Sequence, residues 1–130
     1  MNKFTPLICL MFLLGCAPRV PVIDLSKVSK DKLHAAYKIK TYTAGSDLTY
    51  PEISEYLGDI TAYSCQYLMW DPPSSKGNAL TQLRLKGLDL GANGIIDVTF
   101  DVRGADAWGT DCWESVQASG IAVIFTSPNK

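Results

Sequence analysis

Apolar and polar positions divide the chain into an apolar leader, a mixed segment and one patterned domain. Residues 4–14 are apolar apart from Thr5 and Pro6. The following stretch is mixed. Pro18 and Pro21 bias their neighbours to extended backbone, and Ser26, Lys27, Ser29, Lys30, Asp31 and Lys32 form a solvated run. Val20, Val22, Ile23 and Leu25 suffice there for a short strand or the start of a helix. Period two begins at Ala36: Tyr37, Ile39 and Thr41 alternate with Lys38, Lys40 and Tyr42, which predicts a half-buried strand over 36–43. Gly45-Ser46-Asp47 and Pro51 break it. A second strand is predicted over 53–64, with Tyr56, Leu57, Ile60 and Tyr63 apolar and a bulge at Gly58-Asp59.

Asp71-Pro72-Pro73-Ser74-Ser75-Lys76-Gly77 reads as a loop, and Asn78 as the N-cap of a helix running to Leu90. Leu80, Leu83, Gly87 and Leu90 make one stripe of that helix, while Leu85, Leu88 and Ala92 lie almost opposite. One sheet covers one stripe. The second requires an intramolecular cover, the favoured expectation, or serves as a contact surface. Gly91-Ala92-Asn93-Gly94 ends the helix, with Gly91 or Asn93 suited to a left-handed C-cap. A strand over 95–102 places Ile96, Val98, Phe100 and Val102 on one face and Ile95, Asp97, Thr99 and Asp101 on the other. The last strand, 113–125, is apolar enough from Gly120 to Phe125 for a central position. The expected fold is α+β, in the order β-β-α-β-β: a small, mostly antiparallel sheet with one main helix on one face.

Composition narrows the function. The chain has 130 residues, enough for one domain, and is 47% hydrophobic and 19% charged, so it folds. A net charge of −1 leaves no basic excess for a phosphate backbone, so no nucleic-acid partner is expected. The single histidine, His34, lies at the end of the mixed segment and argues against histidine-dependent catalysis.

The leader reads as an address. Lys3 supplies the charge of an n-region, and the apolar run is too short for the ~20 residues that span a bilayer. Leu13-Leu14-Gly15-Cys16 looks like a bacterial lipobox, which implies cleavage before Cys16 and acylation of its sulfur and amine. Residues 1–15 are then a lipoprotein signal peptide, 16–35 a lipidated N-terminus and linker, and 36–130 the domain. The linker reaches about 65 Å when extended. Ala17, where an aspartate would hold an enterobacterial lipoprotein at the inner membrane, points to the outer membrane, facing the periplasm.

Cys9 leaves with the signal, so Cys65 and Cys112 are the thiols of the domain, and export predicts a disulfide between them. Such a bridge closes a loop of about 48 residues and contributes about 4 kcal/mol at most. A redox switch at the same bridge is the weaker alternative. No metal site is expected, since the cysteines lack CxxC spacing and a nearby histidine, and a catalytic thiol lacks a base. Asp97 and Asp101 read as a solvent face, and Gly91 to Gly94 ends a helix where a phosphate loop would open one. Asp101, Asp106 and Asp111 are too irregular for a calcium loop. No enzyme, cofactor or small-molecule substrate is expected. Tyr67, Leu68, Met69 and Trp70, with Trp108 and Trp113 flanking Cys112, form either a satellite core around the disulfide or a partner-binding surface. Leu85 and Leu88 are the other candidate surface.

The set of lipobox, tether, Tyr63-Ser64-Cys65-Gln66, Pro72-Pro73, helix, Gly91-Ala92-Asn93-Gly94-Ile95-Ile96, Cys112-Trp113 and Gly120-Ile121-Ala122 resembles the RcsF-like outer-membrane lipoproteins, within a wider YbjQ-like fold. The resemblance covers the anchor and residues 39–125. It implies a lipid-anchored sensor of envelope stress that signals by protein contact to a Rcs-type phosphorelay. Its implied partners are an outer-membrane β-barrel, threaded by the tether, and an inner-membrane signalling protein. That family carries a second disulfide, whose positions fall here on Phe100 and Ala118, and its tether is longer, richer in proline and more basic. The alternatives are an oligomeric, structural envelope lipoprotein of YbjQ-like fold without a signalling role and, more weakly, a redox or metal sensor.

Overall fold

The computed structural model describes residues 22–103 and 112–127. A 3-10 turn spans Leu25–Lys27, helix α1 Lys30–Tyr37, strand β1 Lys40–Thr43, strand β2 Ile53–Gln66, helix α2 Lys76–Asp89, strand β3 Gly94–Arg103 and strand β4 Glu114–Phe125. The four strands form one sheet in the order β1-β3-β4-β2. β4 is antiparallel to both β2 and β3, and β1 is parallel to β3. The α+β class and the central position of the last strand are as expected. The sheet is mixed, because the chain between β1 and β3 contains a complete hairpin arm and α2 and so returns β3 alongside β1.

Helix α2 lies on one face of the sheet. Its Ala79 and Leu83 pack with Ile60 and Ala62 of β2, Ile95 and Val98 of β3, and Val116, Ala118 and Ala122 of β4. A smaller cluster of Ile96, Val123 and Phe125 occupies the other face, joined by Tyr42, Ile53 and Ile121. The Tyr50 ring stacks on Phe125 at 6.2 Å between centroids, so the loop after β1 covers that end.

The N-cap of α2 is Ser75, three residues earlier than the sequence suggests. Its backbone is extended and its hydroxyl accepts from the Asn78 N–H at 3.0 Å, so Asn78 is a capped residue of the first turn. At the other end Gly91 adopts φ +83°, and Ala92 and Gly91 donate to the carbonyls of Gly87 (2.9 Å) and Leu88 (3.0 Å), a paired C-terminal closure that needs the left-handed residue.

The strand expected over 36–43 holds only for Lys40–Thr43, and residues 30–37 are helical instead. Ser29 caps α1 by accepting from the Lys32 N–H at 3.2 Å, and Asp31 lies in the first turn, where the dipole favours an acid. Leu33, Ala36 and Tyr37, spaced i, i+3, i+4, turn one side of α1 towards α2.

Bulges set the side-chain faces, and β2 carries one between Ile53 and Glu55 besides the two that follow. On β2 an extra residue between Tyr56 and Gly58, with Gly58 at φ +122°, is the expected bulge. On β3 an extra residue between Ile96 and Thr99, with Asp97 at φ +52°, breaks the expected alternation. Ile95 therefore joins Val98 and Phe100 on the helix side, and Ile96 goes to the opposite cluster. Gly94 is fixed by crowding: a Cβ there would fall inside the Phe125 ring.

Candidate docking end around the disulfide

β2 ends at Gln66 and β4 begins at Glu114, and the two ends are joined covalently. Cys65 and Cys112 form the expected disulfide, with their Cα atoms 5.5 Å apart. Next to it the Trp113 N–H donates to the Gln66 carbonyl at 2.7 Å, extending the β2–β4 ladder past the bridge.

Gln66 is buried and organises the loop that follows. Its Nε2 donates to the carbonyls of Met69 (3.2 Å) and Asp71 (2.9 Å). The Asp71 carboxylate accepts from the Leu68 N–H at 3.0 Å, and the Asp71 N–H returns to the Leu68 carbonyl at 3.0 Å. These bonds close a turn over residues 67–71 from the inside, and the side chains go outward. Tyr67, Leu68, Met69 and Trp70 are 45%, 47%, 70% and 79% exposed, and Trp113 is 59% exposed. They are not a satellite core around the disulfide. They are exposed apolar groups on a pinned backbone. Trp108 lies outside the described residues.

A segment of the expected linker is docked beside this loop. The Gln82 carboxamide, 3% exposed on α2, accepts from the Ile23 N–H (3.0 Å) and donates to the Ile23 carbonyl (2.6 Å). Asp24 then caps the 3-10 turn, accepting from the Ser26 N–H at 3.0 Å and hydroxyl at 2.6 Å. The Ser26 hydroxyl, then its N–H, hold the Asp24 carboxyl below the usual carboxylate range, with Lys27 adding to the effect. A cavity of about 430 Å³ lies between this strap and the loop, lined by Val22, Asp24, Cys65, Tyr67, Pro73 and Gln82 among others. Residues 22–37 thus belong to the folded unit, so the part of the expected linker from Val22 onward is folded against the domain.

Leu85 and Leu88 do not form an exposed face. Leu85 is fully buried, and Leu88 is half-buried against the main core. The cover is α1: the Tyr37 hydroxyl meets the Thr81 hydroxyl at 3.4 Å, and the Arg84 guanidinium lies 5.7 Å from the Tyr37 ring centroid. The second stripe of α2 is therefore covered from within the chain, and these leucines drop out as a docking surface. The sequence signal for that cover was the Leu33, Ala36, Tyr37 spacing behind Ser29.

Phe100 and Ala118 are direct cross-strand partners on β3 and β4, with Ala118 fully buried and Lys76 Nζ 5.7 Å from the Phe100 ring centroid. His34 is exposed in the last turn of α1. Among the described residues no group of three His, Cys, Asp or Glu side chains is placed to hold a metal ion. A second depression, about 580 Å³, lies at the Phe125 end between Lys38, Lys40 and Glu52. The Asn93 carboxamide in its wall is already engaged with the Phe125 main chain, at 2.7 and 3.3 Å. Cys16 and the leader lie outside the described residues, and among those described no helix is long and apolar enough to cross a membrane.

No protein-family model and no curated protein matches the chain. Among solved structures it is similar to a protein of unknown function of the DUF74 family from Pediococcus pentosaceus, with 15% identity, a TM-score of 0.47, and coverage of 68% of this chain and 98% of that one.

Proposed function

We propose that this protein is a lipoprotein of the outer membrane, anchored at Cys16 and facing the periplasm, whose oxidised domain relays envelope state by protein–protein contact in the manner of the RcsF-like sensors. The observation that carries the reading is a co-location. The disulfide, the exposed Tyr67–Trp70 loop and the strap that leads back to Cys16 meet at one end of the domain. An anchor, a brace and an apolar contact surface at one end suit a tethered docking module, and among the described residues this end holds no nucleophile–base pair. The opposed Phe100 and Ala118 support the likeness further, since a bridge there in a relative needs such a cross-strand pair. The test is photocrosslinking from position 70 in cells under envelope stress. Capture of one defined envelope protein supports the reading, and capture that Trp70→Ala leaves unchanged in a pull-down removes the loop as the contact.

A second reading, a structural oligomer, has one observation in its favour. β2 spans 14 residues as an edge strand, and among the described residues nothing pairs with its outer side. Its bulges and the exposed Glu52 and Glu55 work against edge pairing. Light scattering separates the two readings, since a stable ring favours the oligomer.

A further inference from the structure

The strap fixes where the chain leaves the domain. Both main-chain polar groups of Ile23 are held by buried Gln82, and Val22 and Asp24 share a cavity wall with Tyr67 and Pro73. From Val22 back to Cys16 there are only six peptide steps, which reach about 20 Å when fully extended. The 12 residues of β4 run from the disulfide end to Phe125, a length of roughly 36 Å. A leash shorter than the sheet keeps the disulfide end, and not the Phe125 end, near whatever holds Cys16.

We infer that in the resting protein the Tyr67–Trp70 loop and Trp113 lie in the headgroup region of the bilayer that carries the Cys16 anchor. The inference rests on the lipoprotein reading and deepens it by naming what covers the docking surface before a partner does. The side chains suit the place: tyrosine and tryptophan pair an apolar body with a polar tip and collect at membrane interfaces, while Leu68 and Met69 supply apolar area. The backbone suits it too. The Leu68 and Asp71 N–H groups and the Met69 and Asp71 carbonyls already have partners inside the turn, so little unpaired backbone would enter a water-poor layer. The turn is held from within by Gln66, so the side chains point outward without being ordered by the lipid. Of the other exposed apolar residues, Tyr50 stacks on Phe125 and Tyr56 pairs with Val123 at the far end, beyond the leash, whereas Val102, opposite Val116, lies nearer the disulfide. A bilayer so placed masks the docking loop, and a protein partner gains it when the domain lifts away.

The test uses the mature acylated protein in vesicles of phosphatidylethanolamine and phosphatidylglycerol, with Trp108→Phe and Trp113→Phe leaving Trp70 as the reporter. Lipids brominated near the headgroup should quench Trp70 emission by about half or more, and acrylamide quenching should fall several-fold against the Cys16→Ser chain in solution. The wild-type chain, with all three tryptophans, gives a second readout: its emission should shift to the blue on vesicles. An acylated, vesicle-bound protein whose Trp70 is unquenched overturns this inference alone. Crosslinking of position 70 to a protein in unstressed cells also overturns it. A protein that carries no acyl group removes the lipoprotein reading, and this inference with it.

Discussion

The carboxamide of Gln82 grips the main chain of Ile23 from both sides, accepting its N–H at 3.0 Å and donating to its carbonyl at 2.6 Å across 59 residues of sequence. No side chain of the strap is read in this contact, so what it recognises is extended backbone. Gln82→Ala removes both bonds and is expected to cost about 1–2 kcal/mol, since each net hydrogen bond contributes about 0.5–1.5 kcal/mol. Hydrogen exchange at the Ile23 amide should rise sharply while α2 amides stay protected. Unchanged exchange at Ile23 contradicts the clamp.

The Cys65–Cys112 bridge closes a 47-residue separation, and its loss should cost up to about 4 kcal/mol. Small domains have only about 5–15 kcal/mol in all, so the effect should be plain in urea titrations with and without reductant, or with Cys65→Ser and Cys112→Ser together. A loss below about 1 kcal/mol would instead favour a redox role for the bridge.

Gly94 faces the Phe125 ring so closely that a single added methyl must displace it. Phe125 is held in turn by Tyr42 and Tyr50, in an edge contact at 5.7 Å and a stack at 6.2 Å. Gly94→Ala should destabilise by about 1–3 kcal/mol, read as a lowered urea midpoint, whereas Gly77→Ala in the open first turn of α2 should not.

Asp24 gives the strap a dependence on pH. Its carboxyl is held below the usual range, chiefly by the Ser26 hydroxyl, so its contribution is complete above the unfolded-state pKa and is lost as pH falls through the lower folded-state value. An NMR titration should show the Ser26 amide shifting in acid at a midpoint below that of an ordinary aspartate. Asp24→Asn should abolish the shift. A midpoint at or above the ordinary value contradicts the cap.

Strands β2, β3 and β4 and helix α2 were legible because period two and period 3.6 are strong over ten or more residues. The bridge was legible from export and from the pair of cysteines left in the domain. Helix α1 was not, because three of its eight residues are charged and Tyr37, Ile39 and Thr41 beyond its start alternate like a strand. Ser29 and the Leu33, Ala36, Tyr37 spacing were the signals that outweighed the alternation. The face of Ile95 was misread because one inserted residue at Asp97 inverts everything before it, and an aspartate at positive φ leaves no periodic trace. Exposure of Tyr67–Trp70 could not be read either. It depends on Gln66 reaching forward to Met69 and Asp71, a bond between polar atoms that hydrophobic patterning does not record.

Intact mass of the protein purified from the membranes of a bacterium that expresses it tests the anchored-domain account most directly. The account predicts a chain starting at Cys16, carrying a diacylglyceryl group and an N-acyl chain, with Cys65 and Cys112 closed to alkylation, and it predicts that Cys16→Ser abolishes the lipid mass. A chain that retains Met1, carries no lipid and yields two alkylated thiols in the domain would contradict it.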